Sequence, residues 1–385
     1  MKRLLHAGGQ ALYCAVCVAL CAALLFRGDT VREGVKAGLT ACAQVVIPSL
    51  YLFMALSGTI AQSRTGELLS RPLSLLTRRV LKLPACMGPA VLLSAIGGYP
   101  VGAKTIAILL ERRQIAREDA ERALCFCCNA GPSFVITAVG AHLLASARAG
   151  AILLFIHLLC SLFIGIFLSL RLPVPAKRER PAEGLPFGEA FILGVNGATS
   201  GILTICAYVV IFSALGALLR ESGIFVRLSF LLSPLLPPSE AAETLGALFL
   251  GLMEVTTGCM AAAALPGRLP LLLLPFFISF AGLSIFFQIR ATLQPYRLRF
   301  APFLFCRVLH GLLSALLSYP LLRLESSAAA AFKSAAAAIP YRTPNTPSVT
   351  LLMLAVSAMT LWSLAPSGKT KEEAGGKPAK KKINR

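Results

Sequence analysis

Long apolar segments fill most of this sequence, and their length limits what the chain can fold into. Most of them reach the ~20 residues that a helix needs to cross a bilayer. Hydrophobic residues make up 56% of the chain and charged residues only 14%, which leaves too little polar surface for a soluble domain. We therefore predict an all-α polytopic membrane protein. The candidate segments are 11–26, 37–62, 84–110, 120–145, 149–170, 190–220, 243–265, 269–290 and 300–323, with a weaker one at 349–365.

The two halves of the sequence match each other at three places, in the same order. The offsets between the matching stretches are 159, 156 and 151 residues, as expected if loops were shortened after a duplication. Three matches in order favour the repeated architecture that many carriers share. The matching stretches are 38–56 with 197–215, 94–102 with 250–258, and 130–133 with 281–284.

The distribution of basic residues predicts how the segments cross the membrane. If all of them span, the Lys and Arg residues divide into 13 inside and 13 outside. If 84–110 and 243–265 each enter and return on the same side, 18 lie inside and 8 outside, as the positive-inside rule prefers. That topology makes the two halves inverted repeats, with re-entrant or broken helices that meet at mid-membrane. The net charge of +20 follows from the loops and the tail, so we expect a lipid bilayer, and no nucleic acid, as the partner.

These features divide the chain into six parts. Between the segments, 63–83 reads as an amphipathic helix on the membrane surface, and 222–236 holds the equivalent place in the second half. The parts are an N-terminal transmembrane helix (1–34), repeat one (35–170), a loop (171–186), repeat two (187–323), a linker (324–347), and a weak hydrophobic segment with a basic tail (348–385).

Lys104 is the most informative residue for function. It lies in an apolar segment, where a cation is expensive and is seldom retained without a partner or a task. Gly98, Pro100 and Gly102 break the helix around it, and the amides that follow begin a half-helix whose positive end favours an anion. Tyr99 adds a ring and a hydroxyl group. We predict that this group binds a carboxylate; the alternative is that Lys104 snorkels to an interface or holds the fold through an ion pair.

Glu254 occupies the corresponding place in the second half, again in an apolar run. It could pair with Lys104, bind a coupling cation, or carry a proton. Thr256 and Thr257 can donate to a ligand or bond back to their own helix. We predict Glu254 as the coupling or charge partner and the two threonines as substrate contacts.

A third motif runs from Asn129 to Ser133 and is broken at Gly131 and Pro132. Asn129 serves either to hold helices together or to contact a ligand, and we predict both Asn129 and Ser133 as substrate contacts. Weaker candidates are Gln288, Arg307 and His310, whereas His142 and His157 look isolated and receive no role.

The sequence contains no motif of an enzyme. A phosphate-binding loop, a nucleophile elbow and a His-Glu-x-x-His pair are all absent, so we predict that the protein is not an enzyme. The cluster Cys125–Cys128 lacks paired ligand spacing, so we predict no metal and no cofactor. The sequence does not decide whether a proton or a sodium ion is coupled to the function, or whether the protein forms a homo-oligomer.

Three motifs resemble those of a known family. Residues 98–104, 128–132 and 251–258 look like the YlbJ-type sporulation integral membrane proteins, which carry the nucleoside recognition (Gate) domain shared with concentrative nucleoside transporters. The resemblance covers about residues 35–323. It implies a two-repeat protein of endospore-forming Firmicutes, in the mother-cell-derived outer forespore membrane, that moves dipicolinic acid during sporulation. At Ala130 the family usually has a second small polar residue.

Three functions are therefore expected, in descending order. The first is a carrier of a small organic anion, with dipicolinic acid as the substrate that the resemblance implies. The second is a cation-coupled nucleoside carrier, in which Lys104 and Glu254 would form a permanent pair. The third is a non-transporting scaffold for spore envelope assembly, in which the basic tail is the working part.

Overall fold

The computed structural model describes residues 24–64, 72–173, 184–232 and 237–324, together with residues 14, 18, 21, 22, 68 and 234. Within these residues the chain is helical and contains no strand, which confirms the all-α class. The predicted linker, the segment 349–365, the basic tail and much of the segment 11–26 lie outside the described residues. Among the described residues, four helices are long and apolar enough to cross a membrane, or six if two bent pairs are counted as one span each. The four are Ala147–Ser169, Phe187–Glu221, Leu269–Tyr296 and Ala301–Leu324.

A long bent helix begins the first half. It changes direction by 56° where a π-helical turn, Cys42–Val46, joins α1 to α2. Pro48 follows directly, and a π-turn and a proline are both common causes of a bend because each interrupts the backbone hydrogen-bond ladder. The helices of this half are α1 (Gly28–Ala41), α2 (Ile47–Gln62), a π-helical segment (Leu75–Val80), α3 (Gly88–Ile96), α4 (Tyr99–Glu111), α5 (Arg117–Leu124), a π-helix (Ser133–Leu143) and α6 (Ala147–Ser169).

The second half contains the same order of elements: a long helix, a short segment, two half-length helices, a broken span and a long helix. Its first helix, α7, packs along both α1 and α2. The helices are α7 (Phe187–Glu221), α8 (Ile224–Leu228) with a 3-10 turn (Ser229–Leu231), α9 (Pro238–Met253), α10 (Val255–Ala263), α11 (Leu269–Phe280), α12 (Gly282–Leu293) with a 3-10 turn (Gln294–Tyr296), and α13 (Ala301–Leu324).

The segments predicted at 84–110 and 243–265 fold back on themselves. A Cβ atom built on Gly102 would lie 2.8 Å from Cβ of Ser94, whereas eight residues of continuous helix would separate them by ~12 Å. In the second half, a Cβ atom on Gly258 would overlap Cα of Gly251. The pairs α3–α4 and α9–α10 are therefore helical hairpins, and glycine lets their two arms touch.

The segments predicted at 120–145 and 269–290 are each interrupted in the middle. Residues 125–131 separate α5 from the π-helix. Ala281 and Gly282 separate α11 from α12 and have positive φ angles of 75° and 78°. A left-handed backbone cannot continue a right-handed helix, so each half contains one hairpin followed by one broken span.

Two ion pairs show which helix ends lie together. Arg27, just before α1, pairs with Glu221 at the end of α7. Arg299, just before α13, donates from both its backbone N–H and its Nε to the Glu121 carboxylate of α5, at 2.8 Å each. We call these two sides of the helix bundle the Glu221 end and the Glu121 end.

Candidate functional site

The four interruptions of the helices lie against each other in pairs. Gly98, at the turn of the first hairpin, has a φ angle of +87°, and a Cβ atom there would lie 3.7 Å from the backbone nitrogen of Gly131 in the first broken span. A Cβ atom added to Gly282, in the second broken span, would lie 3.3 Å from Cα of Glu254 at the turn of the second hairpin. Each hairpin turn therefore contacts the break that follows it in the sequence.

A small enclosed cavity of about 30 Å³ lies where these interruptions meet, with room for one or two water molecules. Its polar lining comes from Tyr99, Glu254, Thr256 and Gln288. The Tyr99 hydroxyl donates to the backbone carbonyl of Ile278 at 2.6 Å, which ties the first hairpin to the second broken span. Among the described residues, the Gln288 Oε1 atom has no hydrogen-bond partner, so the cavity keeps one unsatisfied buried amide group.

Glu254 is 2% exposed and caps the helix that follows it. Its carboxylate accepts from the backbone N–H groups of Thr256 at 2.9 Å and Thr257 at 2.7 Å, and from the Thr257 hydroxyl at 3.0 Å. A carboxylate is stabilised there by the free N–H groups and by the positive end of the helix dipole. Pairing with Lys104 was one of three alternatives for Glu254. Among the described residues Glu254 forms no ion pair, and its carboxylate is hydrogen-bonded by the N-terminus of α10 instead.

Lys104 lies between the first hairpin and α7, away from the polar lining of the small cavity. Its half-buried ammonium group donates to the backbone carbonyl of Gly197. A Cβ atom on Gly197 would lie 3.1 Å from Cε of Lys104, so the glycine leaves the space in which the lysine side chain lies. A direct substrate contact by Lys104 stays a prediction.

A wide cavity of about 660 Å³ opens at the Glu221 end, between α1, α7 and α10. Glu33 and Arg220 lie on its lining, and so does Thr257, whose hydroxyl bonds to Glu254. Because Thr257 lines the wide cavity and Thr256 lines the small one, the first turn of α10 separates the two.

The other predicted contacts mainly hold the backbone together. A Cβ atom on Gly102 would overlap the carbonyl of Cys127, so this glycine is required for close packing. The Asn129 amide group donates to the Phe126 carbonyl at 2.9 Å and to the Ser94 hydroxyl at 3.4 Å, which favours the role of holding helices together. Ser133 begins the π-helix and is half-buried.

The interpretation of His157 as isolated was wrong. Its Nε2 atom accepts from the backbone N–H of Ala130 at 3.0 Å, and its Nδ1 atom bonds to the Ser279 hydroxyl at 2.7 Å. Its ring stacks on that of His310 at a centroid distance of 4.6 Å, and Ser279 donates onward to Ser314 at 2.8 Å. These partners lie far away in the sequence, so no local pattern could have indicated them.

Arg307 is buried at the same junction, with 1% of its surface exposed. It donates to the carbonyl of Cys128 at 2.6 Å, to that of Ser279, and to that of Phe280 at 3.4 Å. The first carbonyl belongs to one broken span and the other two belong to the second. Within the described part of the chain no carboxylate pairs with this arginine.

The fold and the site define an integral membrane protein built only of helices in its described part, with a polar centre between interrupted helices. Large apolar side chains such as Phe155, Phe163 and Phe167 of α6 are exposed on the outer surface, where lipid would cover them.

The chain is 26% identical over 307 residues to the sporulation integral membrane protein YlbJ of Bacillus subtilis (strain 168), and the match covers 74% of this chain and 75% of that protein. This similarity agrees with the resemblance that the three motifs indicated. No protein-family model and no solved structure matches it. The relationship to the nucleoside recognition domain stays a prediction.

Proposed function

We propose that the protein is an alternating-access carrier for a small organic anion, with dipicolinic acid as the substrate and the outer forespore membrane as the location. The observation that carries this proposal is the meeting of two hairpin turns and two broken spans around one small, mainly apolar cavity that also has Glu254, Thr256 and Gln288 on its lining. Interrupted helices at membrane depth expose backbone groups that lipid cannot satisfy and that a polar substrate can. The description of YlbJ as a sporulation membrane protein supports the location.

We further propose that the two halves are inverted repeats with re-entrant hairpins. The repeated order of elements supports this, as do the paired contacts of Gly98 with Gly131 and of Glu254 with Gly282. If every segment crossed the membrane, Arg27 and Glu221 would lie on opposite sides, and so would Glu121 and Arg299. Both ion pairs are compatible with the topology in which the two hairpins return to their own side.

The two cavities fit a carrier that alternates between states. A ligand the size of dipicolinate needs a pocket of a few hundred Å³, which the small cavity does not provide and the wide cavity does. Movement of the α9–α10 hairpin would join the two cavities through Thr257 and Glu254. On this proposal the structure represents a state with its centre closed and its entrance at the Glu221 end.

A nucleoside carrier is the second candidate, and one observation favours it. Of the described side chains that line the small cavity, only that of Glu254 carries a charge. Together with Thr256 and Gln288 it offers hydrogen-bonding groups for the hydroxyls of a neutral sugar.

Uptake by proteoliposomes containing the purified full-length protein tests the proposal. Labelled dipicolinate and labelled uridine are compared, each with and without an imposed proton or sodium gradient, and protein-free liposomes give the background. Dipicolinate uptake above background is the expected result. Uridine uptake alone would favour the second candidate, and uptake of neither by folded protein would contradict transport and leave the scaffold.

A further inference from the structure

We propose that Arg307 supplies the positive charge that makes the central site prefer a dianion. This inference rests on the proposed function of anion transport. It assigns the role to a residue that does not line the small cavity but lies directly behind its wall.

The contacts of Arg307 place its charge between the two broken spans. Its guanidinium group binds the carbonyl of Cys128 within one break and the carbonyls of Ser279 and Phe280 just before the other. A planar group with five donors suits this task, because it can satisfy several helix-end carbonyls at once.

The chain continues from both sets of carbonyls into the cavity wall. After Cys128 come Gly131 and Phe134, and after Phe280 come Ile285 and Gln288, all of which line the small cavity. Tyr99, a third part of the wall, bonds to Ile278, the residue next to Ser279. The backbone that Arg307 binds therefore continues on both sides into the wall of the small cavity.

The charge of Arg307 lacks a counter-ion in the described part of the chain. Backbone carbonyls accept its hydrogen bonds but cancel none of its net charge, and a buried cation is costly when it is not compensated. Glu254, the acid at the site, is held by the N-terminus of α10. A substrate that brings two negative charges into the cavity would supply the missing compensation, and in a low-dielectric interior this attraction is strong.

Arg290 is the appropriate comparison, because it is an exposed arginine near the end of α12 and allows the same substitution. Removing its charge should leave the preferred substrate charge unchanged.

The test compares substrates of different charge in proteoliposomes. KM values are measured for dipicolinate, a dianion, and for picolinate, a monoanion, with the wild type, Arg307→Gln, Arg307→Lys and Arg290→Gln. Arg307→Gln should raise KM for dipicolinate roughly tenfold more than KM for picolinate, since the dianion loses more attraction. Arg307→Lys and Arg290→Gln should keep the wild-type ratio. An equal change for both substrates in Arg307→Gln, or the same changed ratio in Arg290→Gln, would overturn the inference.

A second measurement decides the matter if Arg307→Gln does not fold. Dipicolinate, picolinate and the neutral dipicolinamide are compared as inhibitors of uptake by the wild type. Inhibition should be strongest with dipicolinate, weaker with picolinate and weakest with dipicolinamide. Equal inhibition by the neutral diamide would overturn this inference and leave the proposed function standing. Absence of dipicolinate uptake by folded wild-type protein would instead overturn the proposed function, and this inference with it.

Discussion

Lys104 donates a hydrogen bond from its ammonium group to the backbone carbonyl of Gly197. The lysine belongs to one arm of the first hairpin and the glycine to the long helix α7. Because residue 197 has no side chain, the lysine reaches the backbone of α7 directly. The contact therefore attaches the first hairpin to a helix that packs along α1 and α2.

Replacing Gly197 with alanine should displace Lys104 and lower the rate of dipicolinate uptake about tenfold, since a hydrogen bond from a charged group contributes ~1.5–3 kcal/mol. The matched control is Gly188→Ala in the same helix, where an added Cβ atom would meet nothing within 4 Å. Uptake is measured in proteoliposomes at equal protein content. Equal rates for the two variants would show that the contact is dispensable.

Replacing Glu254 with glutamine should destabilise the protein by ~1–2 kcal/mol, because an amide NH₂ group cannot accept a hydrogen bond from the backbone N–H of Thr257. Thermal unfolding in detergent measures the effect. The control is Glu243→Gln, an exposed acid on α9, which should stay within ~0.5 kcal/mol of the wild type. Similar losses in both variants would argue against the capping role.

The same Glu254→Gln variant tests ion coupling. If Glu254 carries a proton or binds a cation, a proton or sodium gradient should accelerate uptake by the wild type but not by the variant. If uptake by the variant depends on the gradient as strongly as uptake by the wild type, Glu254 takes no part in the coupling step.

Single cysteines at positions 27 and 221 should react with a membrane-impermeant thiol reagent from one side of oriented vesicles, and cysteines at 121 and 299 from the other side. The two ion pairs place each pair of positions together. Labelling of the unsubstituted protein corrects for its native cysteines. Reaction of positions 27 and 221 from opposite sides would refute the topology with returning hairpins.

Deletion of residues 366–385 separates a carrier from a scaffold. The described residues of the proposed site, from Glu33 to Arg307, all precede the basic tail, so dipicolinate uptake should stay within about twofold of the wild type, a change of ~0.4 kcal/mol. The dipicolinate content of spores that carry the truncated protein provides the matching cellular measurement. If uptake in vesicles is normal but the spores contain less dipicolinate than the wild type, the tail has an additional role.

The sequence allowed the interrupted helices to be located, because the physical cause of each interruption is local. Gly98 and Pro100 end one helix and begin another, and Gly131 and Pro132 do the same in the next segment. The interruption at Ala281 and Gly282 contains no proline, and only its match with residues 130–133 indicated it. Charge counting predicted that 84–110 and 243–265 return to one side, and both fold into hairpins.

The roles of the buried polar residues could not be predicted, because their partners are distant or belong to the backbone. Arg307 bonds to three carbonyls, and a sequence pattern does not show where a carbonyl points. His157 bonds to Ser279, 122 residues away. The sequence suggested a cation as the partner of Glu254, whereas its partners are the N–H groups of Thr256 and Thr257.

The cap that Glu254 places on α10 has a consequence for the unloaded protein. The carboxylate comes from the same hairpin. The N–H groups of Thr256 and Thr257 at this tip are therefore hydrogen-bonded whether or not a substrate is bound. On the proposed function, an empty carrier could therefore return without unfolding this tip. Gly98 has no side chain to act as such an acceptor, so the two hairpin tips differ in this respect.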